Sequence, residues 1–88
     1  MTLEEYRNEI DRLDKELVKI LEKRFLVVHE IGLYKKANNL PILDLEREKK
    51  VLESKRLIVN DDSKWQHYEK IFKLIMDVSK DLEKWSLD

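Results

Sequence analysis

The chain has 88 residues, no cysteine, and 18 Lys and Arg against 19 Asp and Glu, for a formal net charge of -1. Disulfide staples and Cys-based zinc sites are thereby excluded, and with the two signs interspersed no basic stripe is present to neutralise a nucleic-acid backbone. One glycine, one proline, 42% charged and 42% hydrophobic residues favour long helices over strands and tight turns, so the expected fold class is all-α.

Thr2 and Glu5 have the spacing of a capping box and open a first helix. Nothing breaks it before Asn38, Asn39, Leu40 and Pro41, so it runs over about residues 3–37. At 1.5 Å per residue such a helix is roughly 50 to 55 Å long, more than the diameter of a compact domain of this size. Asp44 is placed to cap a second helix over about 45–60, with Glu46 and Glu48 beside its positive dipole end. Asn60, Asp61 and Asp62 form the next turn, and Ser63 with Gln66 repeats the capping-box spacing before a third helix over about 64–86. Residues 1–88 read as one domain, one long helix and two shorter ones, small enough that its core is only marginally stabilising and association is expected to help. Thr2 to Asp14 is too charged for a signal peptide, and no apolar run approaches the roughly 20 residues that span a bilayer, so a cytoplasmic location is expected.

Leu3, Tyr6, Ile10, Leu13, Leu17, Ile20, Val27, Ile31 and Tyr34 follow the 3-4 spacing of one helix face. The step from Ile20 to Val27 passes through Arg24, a cation in a hydrocarbon stripe. An unpaired buried charge costs several kcal/mol. Glu48 interrupts the stripe Leu45, Leu52, Val59 of the second helix, four residues before Leu52. In the third helix Ser79 interrupts Trp65, Tyr68, Phe72, Ile75, Leu82, and Glu83 lies one turn further along the same side. Lys35, almost three whole turns after Arg24, faces nearly the same way. Taken singly, Arg24 has an ordinary reading as a snorkelling or salt-bridged residue, and Ser79 as a satisfied helix serine. Together, charges interrupting three helices imply mutual pairing or a ligand that completes them.

Gly32, the one glycine, sits inside a helix at a cost of roughly 1 kcal/mol relative to alanine, for which close approach of another helix is the expected reason. His29 and His67 lie off the stripes and are expected in solvent. Trp65, Trp85, Met76 and the other aromatic residues are expected in the core. His29 and Glu30 lack the second histidine of a metalloprotease helix, since Leu33 stands there, and no nucleophile, base or metal constellation is present. The inventory calls for no metal and no cofactor.

Arg7 in YRNEI, Arg24 in LEKRF, Lys35 in EIGLYKK, and Asp44, Arg47 and Glu48 in LPILDLEREK closely resemble the all-helical, AroQ-class chorismate mutases. The opening RNEIDRLD is similar to that family's REKID-like segment, and the centre carries P-I-x-D-x-x-R-E. The third helix, KIFKLIMDVSKDLE, matches by hydrophobic pattern, Ser79 and Glu83. The resemblance implies an intertwined homodimeric helical bundle with two long first helices side by side, each active site shared between chains. It implies that Arg7 of one subunit and Arg24 of the other clamp the two carboxylates of chorismate, as planar guanidinium forks suit, with Ser79 and Arg47 assisting. Glu48 is implied to accept a hydrogen bond from the ring hydroxyl, helped by the backbone amide near Asp44, and Lys35 to donate to the ether oxygen.

The implied reaction is the Claisen rearrangement of chorismate to prephenate in aromatic amino acid biosynthesis, a pericyclic step without cofactor, nucleophile or net proton transfer. The protein confines a flexible substrate and supplies donors where the breaking C–O bond leaves negative charge. Lys35, Arg24 and Glu83 are the implied catalytic groups. Bacterial members commonly have a glutamine where register here places Glu83, and fungal members a glutamate. A carboxylate donates only when protonated, so activity is expected to fall as pH rises and Glu83→Gln to flatten that fall. Two other readings stand beside this one: an isochorismate pyruvate lyase on the same scaffold, separated by product analysis, and a non-catalytic dimerisation module whose stripe charges fix register. The chain's length leads us to expect a monofunctional enzyme without its own regulatory domain.

Overall fold

A computed structural model describes residues 1–85, the last by its backbone alone; the expected end of the third helix at Ser86 and a core place for the Trp85 side chain lie outside the described residues. Helix α1 spans Leu3–Ala37. Thr2 is extended and its hydroxyl accepts from the Glu5 N–H at 3.2 Å, satisfying one of the orphan donors of the first turn. At the other end the Asn38 side chain donates to the Tyr34 carbonyl at 2.8 Å, and the Leu40 N–H donates to the Lys35 carbonyl at 2.9 Å. Asn39 between them takes a left-handed φ of 53°, which asparagine tolerates better than most residues.

Helix α2 spans Leu45–Ile58 and starts where the Asp44 carboxylate accepts from the Arg47 N–H at 3.0 Å. It stops two residues short of the expected Asn60, because Val59 is already extended. The expected cap at Ser63 and Gln66 is also displaced. Asp61 takes both the Ser63 N–H, at 3.1 Å, and the Ser63 hydroxyl, at 2.6 Å, so that hydroxyl is occupied and Asp61 does the capping. One turn of 3-10 helix, Asp62–Lys64, then leads into helix α3, Trp65–Trp85. Arg56 near the end of α2 grips Asp62 with two nitrogens, at 3.0 and 3.2 Å, and its guanidinium lies 5.8 Å from the Trp65 ring.

Helix α3 packs on both α1 and α2. Among the described residues, Val28 and Gly32 of α1 and Trp65 and Glu83 of α3 are the buried positions. Gly32 is buried on the shielded face of α1. The aromatic residues divide: Trp65 is buried, Phe25 and Phe72 half-buried, whereas Tyr6, Tyr34 and Tyr68 are exposed, contrary to the expectation of a core place. Met76 is half-buried.

The α1 stripe is left uncovered within the single chain. All nine apolar members, Leu3 through Tyr34, keep between 41% and 64% of their surface exposed in this chain. The residues of α1 that are shielded form a neighbouring face, Leu21, Arg24, Phe25, Val28, Gly32 and Lys35, and occupy only its second half. In α2 the stripe residue Leu45 is exposed, while Leu52 and Val59 are half-buried. The resulting molecule measures 54 × 27 × 15 Å with a radius of gyration of 16.1 Å, where a compact chain of this length has about 12 Å. Its accessible surface is 7575 Å², against about 5,500 Å² for a typical folded monomer of this mass. No helix among the described residues is long and apolar enough to cross a membrane.

Candidate functional site

The shielded half of α1 forms one wall of a cavity of about 280 Å³. Positions 24, 28, 31 and 35, at helical 4-3-4 spacing, set Arg24, Val28, Ile31 and Lys35 along that wall. The Asp44 cap fixes the first turns of α2, from which Asp44, Arg47, Glu48 and Val51 face the cavity, with Ile42 from the preceding connection. One stretch of α3 closes the third side with Met76, Ser79, Lys80 and Glu83. Val28, Ile31, Ile42, Val51 and Met76 give it apolar surface, so ions inside it are less screened than in bulk water.

Three polar links cross between helices here. Arg24 donates through Nη1 to Ser79 Oγ, and the Ser79 hydroxyl in turn donates to the Ile75 carbonyl at 2.7 Å, leaving oxygen lone pairs for the arginine. Lys35 Nζ donates to Glu83 Oε1 at 3.0 Å and to the Ile42 carbonyl at 3.1 Å. Glu83 is only 6% exposed, so this ammonium balances a carboxylate that would otherwise be buried without a counter-charge. Lys80 Nζ donates to Glu48 Oε1 at 3.0 Å and reaches Asp77 Oδ1 at 3.3 Å. The hydrogen bond to Glu48 is the main reason the Lys80 ammonium titrates above the ordinary lysine value, with Asp77 adding to it and desolvation opposing.

Four cations, Arg24, Lys35, Arg47 and Lys80, thus face three carboxylates, Asp44, Glu48 and Glu83, and the cavity carries one excess positive charge. Among the described residues neither Arg24 nor Arg47 has a carboxylate within ion-pair distance. A cation half-shielded and bonded only to a hydroxyl is suited to receive an anion. Arg24, Lys35, Asp44, Arg47, Glu48, Ser79 and Glu83 are therefore brought together. Arg7 is not: it lies seventeen residues before Arg24, roughly 25 Å along α1, and its side chain is exposed. His29 and His67 are exposed, and among the described residues no group of three His, Cys, Asp or Glu is placed to hold a metal ion.

Two participants were not singled out from the sequence. The Ile42 carbonyl carries no side-chain signal. Lys80 could have been suspected from its place between Ser79 and Glu83, but it stands beside the stripe, and its partner Glu48 is reached only through the α2–α3 register.

The family model described as "Chorismate mutase type II" matches residues 6–84. The "T-protein" of Haemophilus influenzae is 42% identical over 55 residues, 62% of this chain and 15% of that protein. The "Bifunctional chorismate mutase/prephenate dehydratase" of Buchnera aphidicola subsp. Acyrthosiphon pisum is 36% identical over 75 residues, 84% of this chain and 20% of that protein. A protein of the same name in Aquifex aeolicus is 43% identical over 51 residues, 58% of this chain and 14% of that protein. The chain spans a fifth or less of the length of these relatives. No solved structure matches it.

Proposed function

This chain belongs to the chorismate mutase type II family, and on that premise we propose that it is a chorismate mutase, an isomerase converting chorismate to prephenate by an intramolecular Claisen rearrangement. One observation carries the reading: Arg24 and Lys35 of α1, Glu48 of α2 and Ser79 and Glu83 of α3 line one cavity with an excess of positive charge. Chorismate is a dianion with a ring hydroxyl and an ether bond to break. Arg24, oriented by Ser79, binds one carboxylate, Arg47 assists at the anionic end, and Glu48 accepts from the ring hydroxyl beside the amide at Asp44. Lys35 donates to the ether oxygen as negative charge develops there, while the apolar walls hold the substrate in its compact reactive shape. The chemistry needs no covalent intermediate or cofactor.

In this reading the site is completed by a second copy of the chain. A dianion calls for more than one excess cation, and Arg7 of a partner chain supplies it. The exposed α1 stripe and the large accessible surface support an intertwined homodimer in which the first halves of two α1 helices bury one another. A cytoplasmic location belongs to the same proposal.

Glu83 already bonds Lys35 in the free protein, and it shares the cavity wall with the group that donates to the ether oxygen. As a carboxylate it competes for that donor; protonated, it becomes a second donor. The test follows chorismate loss and prephenate formation from about pH 4 to 9 with the wild-type protein and Glu83→Gln. We expect wild-type turnover that declines with rising pH and a flatter profile for the variant. Superimposable profiles would remove Glu83 from the chemistry, and absence of prephenate at every pH would defeat the mutase reading.

A further inference from the structure

We propose that Lys80 is a positioning residue that acts through Glu48, holding its carboxylate in the cavity wall and cancelling its charge toward a doubly negative ligand. The inference rests on the mutase reading and assigns a role to a residue outside it. Lys80 and Glu48 come from different helices and meet at 3.0 Å with about a quarter of each side chain exposed, 26% and 23%. The other cations of the cavity are committed elsewhere or open to solvent: Lys35 holds Glu83 and the Ile42 carbonyl, Arg24 holds Ser79, and Arg47 is exposed. Among the described residues Lys80 is the one cation within ion-pair distance of Glu48. Its second contact, Asp77, is 67% exposed and on the same helix three residues back, where solvent screens it.

Glu48 has a double requirement. To accept a hydrogen bond from the ring hydroxyl it must present a lone pair at a fixed place, yet an uncompensated carboxylate would repel both carboxylates of the substrate. Lys80 meets both needs at once. Without it the cavity holds three cations against three carboxylates, and its excess positive charge is gone. The substrate remains a dianion throughout the rearrangement, and its hydroxyl and carboxylates are spectators of the bond changes. The Lys80 contribution is therefore the same in the ground and transition states, which places its loss in KM and not in kcat.

Steady-state kinetics on chorismate at fixed ionic strength, with wild-type, Lys80→Met, Lys80→Arg, Glu48→Gln and the double variant Glu48→Gln/Lys80→Met, test this. Lys80→Met should raise KM about tenfold with kcat within about twofold, and Lys80→Arg should bring KM back to within about twofold of wild type. In the Glu48→Gln background, Lys80→Met should add no further rise, because the charge it balances is already gone. Lys80→Gln carries the same expectation as Lys80→Met should the methionine variant fail to fold. An unchanged KM, a fall confined to kcat, or an equal penalty with and without Glu48 overturns the inference while leaving the mutase reading intact. A wild-type protein that leaves chorismate unconverted overturns both.

Discussion

From Leu3 to Ile20 every residue of α1 is exposed, while from Leu21 to Lys35 the same helix turns one face into α3 and lines the cavity. The apolar stripe continues through both halves. Its members stay exposed in both, Leu3 to Ile20 in the first and Val27, Ile31 and Tyr34 in the second; what the second half adds is a neighbouring shielded face, on which Val28 and Gly32 are buried and Arg24 and Lys35 meet Ser79 and Glu83. A helix projecting without tertiary contacts is at best marginal in water, because most helical stability in proteins comes from packing. Burying each of those apolar side chains is worth about 1.5–3 kcal/mol. The contrast teaches that one region of α1 is specified by this chain and the other by whatever covers it, and Arg7 belongs to the second region.

The largest expected effect comes from charging the uncovered half. Leu13→Glu together with Leu17→Glu places two carboxylates in the proposed interface, where each unpaired buried charge costs several kcal/mol. Sedimentation should show a monomer and activity should fall by more than about a thousandfold, whereas Lys15→Ala, off the stripe on the same turns, should change neither. If the charged variant sediments and turns over as wild type does, the first half of α1 is no interface.

Next in size is the covered half. Lys35→Ala removes the proposed donor to the ether oxygen and leaves Glu83 buried without its cation, so the barrier should rise by about 3 kcal/mol or more while the sedimentation behaviour stays that of wild type. Val28→Ala, at the buried point of the same wall, should lower unfolding stability by about 1–3 kcal/mol in denaturant titration, a cost that the exposed Val27→Ala escapes in a charged-interface monomer.

The smallest effect lies away from both halves. Arg56, chiefly through its hydrogen bonds and also through its charge, holds the Asp62 carboxyl below its ordinary value against desolvation. A depressed carboxyl stabilises the fold above its unfolded value, near 3.8, and that contribution disappears as pH falls through the folded one. Asp62→Asn should therefore lower the melting temperature slightly at neutral pH and leave it unchanged in strong acid, as thermal melts across that range would register.

These contrasts also explain what could be read from the residues alone. Thr2 and Asp44 were legible as caps because the bond runs to a backbone N–H three residues away. Arg24, Glu48 and Ser79 were legible as site candidates because each interrupts an apolar series, and Lys35 and Glu83 because they share those faces. Asp61 against Ser63 was not, since two adjacent polar groups compete for one turn and their geometry decides. Nor was the split of α1: a 3-4 spacing identifies a face to be covered without saying whether the same chain covers it. Lys80 escaped for a related reason, its partner lying across a helix–helix register that periodicity does not encode.

Subunit mixing tests the account most directly. Arg7→Ala and Lys35→Ala proteins, each expected to be close to inactive, are combined in equal amounts and allowed to exchange chains. If a site takes Arg7 from one chain and Lys35 from the other, mixed dimers contain one intact site and the mixture should recover about a quarter of wild-type activity. A mixture that stays as inactive as its two components would contradict a site built across two chains.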